Sequence, residues 1–304
     1  MAYTEVSFED ASDIIMAANL PNLINLEKLS GGWANSNYKL TLTDNSKIVL
    51  KIWDEQSLDQ VSYLLSITTY LSDNNIPTPP PIQFSNGEFI TVKNGLAWTL
   101  MPYIEGEWLE PNMPSLYSLG RNQAKLHLVK PPSNLKEDFS MGNSLFEKLF
   151  SIADDKDEWS DFLHLLKSES LALNEQIPEL PKGIIHGDLF PDNILVTNNN
   201  VKAILDFEEV CNDILAFDLV MTFVGCGWEN GEPVVERWKS LLDGYQSVRI
   251  LSQNEINSLS DLHRLATLSI AAWRYWQFFI NLPNTEHSDR YLEMSERLDK
   301  SLPF

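Results

Sequence analysis

Apolar and polar residues alternate along two neighbouring stretches near the start of the chain, on either side of a turn signal at Asp44-Asn45. A period of two is typical of strands with one buried face, so we predict a β-hairpin within residues 28–53. Its buried face should carry Tyr38, Leu40, Leu42, Ile48, Leu50 and Ile52. Helical spacing over 8–20 and 57–73 predicts a helix on each side of the hairpin, and the proline-rich segment 76–82 ends the second one.

Helical periodicity dominates the chain from about residue 103 onwards, after short strands predicted around 82–92 and 96–101. The predicted helices cover 115–128, 144–175 and most of the chain after Pro233, and a strand–loop–strand segment covers 184–207. This order predicts an α+β fold with two lobes and a ligand-binding cleft between them. The small β-rich lobe should span 1–101 and the larger helical lobe 102–304, with a connector near 100–104.

Composition narrows the functional classes without naming one. The formal net charge of the 304 residues is −21, which argues against nucleic acids and anionic membranes as partners, because their phosphates attract Lys and Arg. Cys211 and Cys226 are too few for a disulfide framework. The N-terminus lacks the order of a signal peptide, and no apolar run approaches the ~20 residues of a membrane span. We therefore expect a cytoplasmic protein, a monomer or homodimer, that acts on a small molecule.

The segment IIHGDLFPDNILV, residues 184–196, places polar side chains between two apolar runs that read as buried strands. His186, Asp188 and Asn193 have the spacing H-x-D-x-x-x-x-N. In kinase catalytic loops with this spacing, the Asp accepts the proton of the substrate hydroxyl and the Asn holds a metal ion. The alternative is that His186 and Asp188 merely cap a polar turn. The sequence therefore predicts a phosphoryl-transfer loop at this position.

A second carboxylate follows one hairpin further along, in VKAILDFEE. The turn signal Asn198-Asn199-Asn200 precedes a buried strand that ends at Asp206, and a hairpin of this size returns Asp206 to the neighbourhood of Asn193. A carboxylate and an amide oxygen suit Mg²⁺, which completes its shell with waters and substrate phosphates. Asn193 and Asp206 are thus the candidate metal ligands.

The first lobe contains candidate nucleotide-binding residues. Gly31 and Gly32 would let backbone amides approach a phosphate, although two adjacent glycines are more often just a turn. Lys51 lies on a predicted strand between Leu50 and Ile52 and should point away from both. A lone strand lysine is usually a solvated surface residue, but in this context we interpret Lys51 as a phosphate-pairing residue.

Taken together, Gly31-Gly32, Lys51, HGDLFPDN and LDF resemble the aminoglycoside phosphotransferase and choline kinase family, which has a protein-kinase-like fold. The resemblance covers about residues 15–300, and CNDILAFDL, residues 211–219, looks most like the members that phosphorylate L-homoserine. It implies ATP and Mg²⁺ as cofactors and a small amino alcohol as acceptor.

The resemblance also implies individual roles. Asp188 would be the catalytic base, Lys51 would contact the α- and β-phosphates of ATP, and backbone groups near Met101 and Tyr103 would bind adenine. Asp218 would brace the catalytic loop, a role that we also give to His186. One feature departs from the family pattern: the helix over 57–73 contains no Glu to pair with Lys51, and Asp59 is the substitute we expect.

The acceptor site is less defined by the sequence. Glu208, Glu209 and Asp213 could bind an ammonium group, and Arg274, between Trp273 and Trp276, could bind a carboxylate. The competing interpretations are an ion-paired arginine and tryptophans that belong to the core. Cation–π contacts with these tryptophans would also suit the quaternary ammonium group of choline.

The resulting prediction is an ATP- and Mg²⁺-dependent kinase of a small amino alcohol, with L-homoserine as the first choice of acceptor. Choline, ethanolamine and aminoglycosides are the alternative acceptors. A nucleotide-binding pseudokinase is a further alternative, although it would not need Lys51, Asp188, Asn193 and Asp206 together. A protein kinase is disfavoured, because little room for an activation loop follows Phe207.

Overall fold

The computed structural model describes residues 4–29, 35–283 and 285–304. The chain divides into two compact units. The first comprises Met1–Glu107 and Lys202–Leu205, and the second comprises Trp108–Val201 and Asp206–Phe304. The assignment of ATP binding to 1–101 and of catalysis and acceptor binding to 102–304 stays a prediction.

The first unit is built on a five-stranded antiparallel sheet in the order β1-β2-β3-β5-β4. Its elements are α1 (Phe8–Ala17), β1 (Leu23–Lys28), β2 (Asn35–Leu42), β3 (Lys47–Trp53), α2 (Leu58–Asp73), β4 (Thr91–Lys93) and β5 (Leu96–Pro102). The predicted hairpin is confirmed as β2 and β3, with Asn45 at a positive φ in the turn. Strand β1 was not predicted.

Alternation along β3 and β5 sends side chains to two separate clusters. Leu50 and Ile52 belong to a core with residues of α1, whereas Trp53 and Ala97 pack with residues of α2. Lys51 lies opposite Asn37 on β2 and Thr99 on β5, and alternation places it on the face of the sheet that carries Trp53. The prediction that Lys51 points away from its two apolar neighbours is confirmed.

The second unit is mainly helical. Its helices are α3 (Met113–His127), α4 (Asn143–Lys156), α5 (Asp161–Gln176), α6 (Leu215–Cys226), α7 (Val235–Gln246), α8 (Gln253–Asn257), α9 (Leu259–Arg274) and α10 (Arg290–Ser295). A π-helical stretch, Tyr275–Asn281, follows α9 directly. Helix α3 packs closely along α7, where a Cβ on Gly120 would lie 2.0 Å from the carbonyl oxygen of Leu241.

Short strands position the polar loop between the helices. The elements are β6 (Glu107–Trp108), β7 (Lys182–Ile185), β8 (Ile194–Thr197), β9 (Asn200–Ile204), β10 (Cys211–Ile214), β11 (Trp228–Glu229) and β12 (Glu232–Pro233). Strand β7 pairs antiparallel with β10, which leads directly into the buried helix α6. Asn198 and Asn199, both at positive φ, form the turn from β8 to β9. No helix in the described ranges is long and apolar enough to cross a bilayer.

The helical region predicted over 144–175 is confirmed, and the structure divides it into the two helices α4 and α5. Helix α4 ends at Asp157, which adopts a left-handed φ of 54°. Ser160 then caps α5 by accepting a hydrogen bond from the backbone N–H of Leu163.

Candidate active site

The loop between β7 and β8, residues 186–193, holds Asp188 by a pair of hydrogen bonds from one side chain. The Nδ2 of Asn193 donates to the backbone oxygen of Asp188 at 2.8 Å and to its Oδ2 at 2.9 Å. A short 3₁₀ turn, Pro191–Asn193, brings the amide into reach before β8 begins. The carboxylate of Asp188 is therefore fixed relative to the loop backbone, as a proton acceptor would need to be.

His186 is fully buried and stabilises the loop through a hydrogen bond and a ring contact. The backbone N–H of Asp188 donates to Nδ1 of His186 at 3.1 Å, so this nitrogen is the acceptor and a neutral ring carries its hydrogen on Nε2. The imidazole packs against Phe207 with 4.6 Å between ring centroids. These contacts confirm the prediction that His186 braces the loop.

Asp218, on α6, is fully buried and fastens the backbone of the same loop. Its Oδ1 accepts from the N–H of Gly187 at 2.7 Å and its Oδ2 from the N–H of His186 at 3.3 Å. Burial alone would raise the pKa of Asp218, but hydrogen bonds from His127 and Gln123 outweigh it and hold the pKa below its ordinary value. The predicted bracing role of Asp218 is confirmed.

The support of Asp218 continues through His127, Tyr245 and Arg249. His127 lies 3.0 Å from Asp218 through Nε2 and 2.7 Å from the hydroxyl of Tyr245 through Nδ1. Arg249 donates to the same hydroxyl at 3.1 Å and to the buried Glu255 at 2.8 Å. One neutral tautomer satisfies this chain: Arg249 donates to Tyr245, Tyr245 to His127, and His127 to Asp218.

Gly187 is required by the shape of the loop. Its φ is +81°, and a Cβ at this position would lie 2.7 Å from the ring of Phe139 and 3.3 Å from the Cβ of Glu209. A side chain would therefore meet both backbone strain and a clash. The same distances show that Phe139 and Glu209 pack directly against the residue that precedes Asp188.

Negative charges converge on the loop. Burial and the charges of Asp206, Asp192 and Glu209 raise the pKa of Asp188 well above its usual range, against the opposing effect of Asn193. Asp206 is exposed and adopts a left-handed conformation, with φ 62° and ψ 64°, directly before a 3₁₀ turn. A cation near these carboxylates would relieve their mutual repulsion.

The donor set fits a magnesium ion. The Nδ2 of Asn193 donates to two oxygens of Asp188, which leaves the Oδ1 of Asn193 as a ligand oxygen, and Asp206 supplies a carboxylate. In the part of the chain that the structure describes, no group of three or more His, Cys, Asp or Glu side chains could hold a metal by itself. Mg²⁺ does not need one, because substrate phosphates and waters complete its shell.

A pocket of about 360 Å³ adjoins the loop within the second unit. Its polar and aromatic lining includes Ser140, Ser144, Lys148, Glu209, Trp273 and Trp276. The hydroxyl of Ser140 donates to Oε2 of Glu209, and Lys148 places its Nζ 4.1 Å from the ring centre of Trp276. Burial and the charges of Glu208 and Asp206 raise the pKa of Glu209 to about 7, with Lys136 opposing the shift.

The predicted acceptor residues are therefore distributed over different places. Glu209 lines the pocket and Glu208 lies half-buried beside it. Asp213 is on β10 and pairs with Lys182 at 3.4 Å. Among the residues that the structure describes, Arg274 does not line the pocket. Its guanidinium donates to the carbonyl of Arg290 at 3.0 Å and to the carboxylate of Glu293 at 2.9 Å. Substrate roles for Asp213 and Arg274 stay predictions.

The predicted nucleotide-binding residues belong to the first unit. Lys51 lies with its Nζ 3.8 Å from the ring centre of Trp53. Met101 is on β5 opposite Val49, and the N–H of Tyr103 donates to the carbonyl of Lys47 at 3.1 Å. Asp59 is exposed in the first turn of α2, and its pairing with Lys51 stays a prediction. Gly31 and Gly32 lie outside the described residues.

The antiparallel sheet of the first unit and the His-x-Asp loop of the helical unit define a protein-kinase-like phosphotransferase. Solved structures share this fold. A choline/ethanolamine kinase family protein from Mesorhizobium loti has a TM-score of 0.72 and 15% identity, covering 97% of this chain and 96% of that one. A microcompartment-associated aminopropanol kinase has a TM-score of 0.70 and 18% identity, covering 96% of this chain and 95% of that one.

The chain belongs to the phosphotransferase enzyme family APH, whose family model matches residues 25–251. Among its curated relatives is the homoserine kinase of Nitrobacter winogradskyi. That enzyme is 30% identical over 295 residues, which cover 92% of this chain and 87% of the relative. The family establishes this protein as an ATP-dependent small-molecule kinase, in agreement with the prediction from the sequence.

Proposed function

We propose that this protein transfers the γ-phosphoryl group of ATP to the side-chain hydroxyl of L-homoserine, giving O-phosphohomoserine for threonine synthesis. The observation that carries the chemistry is the carboxylate of Asp188, held by the amide of Asn193 at 2.9 Å in a loop fastened to the buried Asp218. The name of the Nitrobacter relative supports homoserine as the acceptor.

In this mechanism Asp188 orients the acceptor hydroxyl and accepts its proton as the oxygen attacks the γ-phosphorus. The new phosphorus–oxygen bond forms while the bond between the γ-phosphorus and the bridging oxygen breaks, and ADP leaves with that electron pair. Burial, together with the neighbouring negative charges, raises the pKa of Asp188 and so increases its basicity. The hydrogen bonds from Asn193 keep the carboxylate in place throughout.

Asn193 and Asp206 are the proposed ligands of Mg²⁺, which when bound would neutralise charge on the transferring phosphates. We assign Lys51 to the α- and β-phosphates, the backbone amides of Gly31 and Gly32 to phosphate, and the backbone near Met101 and Tyr103 to adenine. The division into an ATP-binding lobe over 1–101 and a catalytic and acceptor-binding lobe over 102–304 belongs to the same proposal.

An acceptor screen tests the function. ATP consumption is followed with L-homoserine, choline, ethanolamine, methylthioribose and an aminoglycoside, and the product is identified by ³¹P NMR. We expect turnover above background with L-homoserine, dependent on a divalent cation. Strong turnover of another acceptor alone would replace homoserine and keep the kinase. ATP binding without turnover of any acceptor would instead favour a pseudokinase.

A further inference from the structure

The pocket beside the loop combines one negative and one positive side chain on opposite elements of the second unit. Glu209 follows the candidate metal ligand Asp206 by three residues, and its Cβ packs against Gly187. Lys148 comes from α4, and Trp273 and Trp276 close the pocket from the end of α9 and the π-helical stretch. A molecule in this pocket therefore meets both charges, and one of them belongs to a residue that packs against Gly187, the neighbour of Asp188.

The environment of Lys148 favours an external anion as its partner. Its ammonium lies over Trp276 at 4.1 Å, which orients the charge but uses none of its N–H donors in a conventional hydrogen bond. Across the described residues, no carboxylate forms an ion pair with Lys148. By contrast, the guanidinium of Arg274 is already engaged by Arg290 and Glu293. Lys148 is therefore better placed than Arg274 to meet a carboxylate in the pocket.

We propose that this pocket recognises a zwitterion, with Glu209 binding the α-ammonium group and Lys148 the α-carboxylate of a free hydroxy amino acid. The inference rests on the proposed function and specifies its acceptor class. Trp273 and Trp276 cover the short methylene chain, and the hydroxyl end extends toward Asp188. Because charged hydrogen bonds stabilise more than neutral ones, each charged group contributes about 10- to 100-fold in affinity.

The charge pattern separates this acceptor from the alternatives. Choline and ethanolamine have an ammonium group but no carboxylate, so Lys148 would be left without an anion. Aminoglycosides are polycations, and Lys148 would repel them. A pocket of about 360 Å³ is near the lower end of the usual range for ligand sites, which also favours a small acceptor.

Two variants and two acceptors test the assignment. Lys148→Met retains length and hydrophobic contact with Trp276 but removes the charge. L-homoserine carries both charged groups, whereas 2-amino-1,4-butanediol lacks the carboxylate. The matched control is Lys167→Met, since Lys167 also lies over a tryptophan, 4.7 Å from the ring centre of Trp159, but outside the pocket lining. Glu209→Gln serves as the second variant.

For wild type, we expect the KM for the butanediol to exceed that for L-homoserine by about 10- to 100-fold. Lys148→Met should raise the KM for L-homoserine by a similar factor and leave the KM for the butanediol and for ATP unchanged. Glu209→Gln should raise the KM for both acceptors. Lys167→Met should change none of these values, and melting temperatures confirm that each variant is folded.

The outcomes separate the two proposals. If wild type phosphorylates L-homoserine and Lys148→Met leaves its KM unchanged, the zwitterion assignment is overturned and the proposed kinase function is retained. Turnover of a different hydroxy amino acid in place of homoserine, still sensitive to Lys148→Met, retains the assignment and replaces the substrate. Turnover confined to acceptors without a carboxylate overturns both.

Discussion

Replacing Glu209 by Gln should stabilise the free protein, and the gain should grow as the pH rises from about 4.5 to above 7. The pKa of Glu209 is raised from about 4.5 to about 7, first by burial and then by the charges of Glu208 and Asp206. Between these two values the folded protein retains a proton that the unfolded chain releases. Stability therefore falls as the pH rises through this window, and the penalty is complete above pH 7.

The size of the effect follows from the shift. A difference of about 2.5 pKa units corresponds to roughly 3 kcal/mol at about 1.36 kcal/mol per unit. Glu209 is only half-buried, so solvent screening reduces the realised penalty to about 1–2 kcal/mol. For a chain of 304 residues, this free energy corresponds to a rise of roughly 2–3 °C in the melting temperature. Relief of the repulsion on Asp188 acts in the same direction.

Thermal melts of wild type and Glu209→Gln, without nucleotide or metal, at pH 5 and pH 8.5 measure the effect. We expect only a small difference in melting temperature at pH 5, near the start of this window, and a clearly higher value for the variant at pH 8.5. Glu147→Gln, an exposed change on α4, is the control and should shift neither. An equal shift at both pH values, or a loss of stability at pH 8.5, would refute the reasoning.

Three further substitutions test the loop and its supports. Asp188→Asn should lower kcat by about 10³-fold or more and leave ATP binding intact. The control Asp192→Asn, in the same loop, should leave kcat near the wild-type value. Near-normal turnover by Asp188→Asn would contradict the assignment of Asp188 as the base. Asp206→Asn keeps a residue type that tolerates the left-handed φ of 62°. The variant should lose the Mg²⁺-dependent part of the rise in melting temperature that ATP causes. An unchanged rise would contradict the assignment of Asp206 as a metal ligand. Tyr245→Phe removes the hydroxyl that lies 2.7 Å from Nδ1 of His127. It should lower the free energy of unfolding, measured with a denaturant, by about 1–3 kcal/mol, reduce kcat and preserve KM. A variant as stable as wild type would show that the hydroxyl is dispensable.

The loop could be predicted because its parts lie close together in the sequence. His186, Asp188 and Asn193 fall within eight residues between two apolar runs, and the strand alternation that turns Lys51 away from Leu50 and Ile52 is equally local. Even the long-range brace from Asp218 followed from family resemblance, and two backbone hydrogen bonds confirm it. Short-range spacing and a shared motif therefore determine the part of the site where phosphoryl transfer is proposed.

The pocket could not be predicted in the same way. Lys148 and Trp276 are more than a hundred residues apart in the sequence, and neither has a local pattern that marks a binding residue. Arg274 looked more suitable because it stands between two tryptophans, yet only packing shows that its guanidinium faces α10. Strand β10 was also missed, since four residues are too few for alternation to reveal.

These two parts of the second unit differ in how firmly they are held. The loop backbone is fixed by the fully buried Asp218, which is supported in turn by His127 and Tyr245 at hydrogen-bond distances of 3.0 and 2.7 Å. In the pocket, by contrast, the charged side chain of Lys148 is exposed on the surface of α4. A substitution at Lys148 therefore disturbs neither the core nor the carboxylate of Asp188. Under the proposed assignment, Lys148 would select the acceptor at little cost in stability, which would let a shared phosphoryl-transfer loop serve different acceptors.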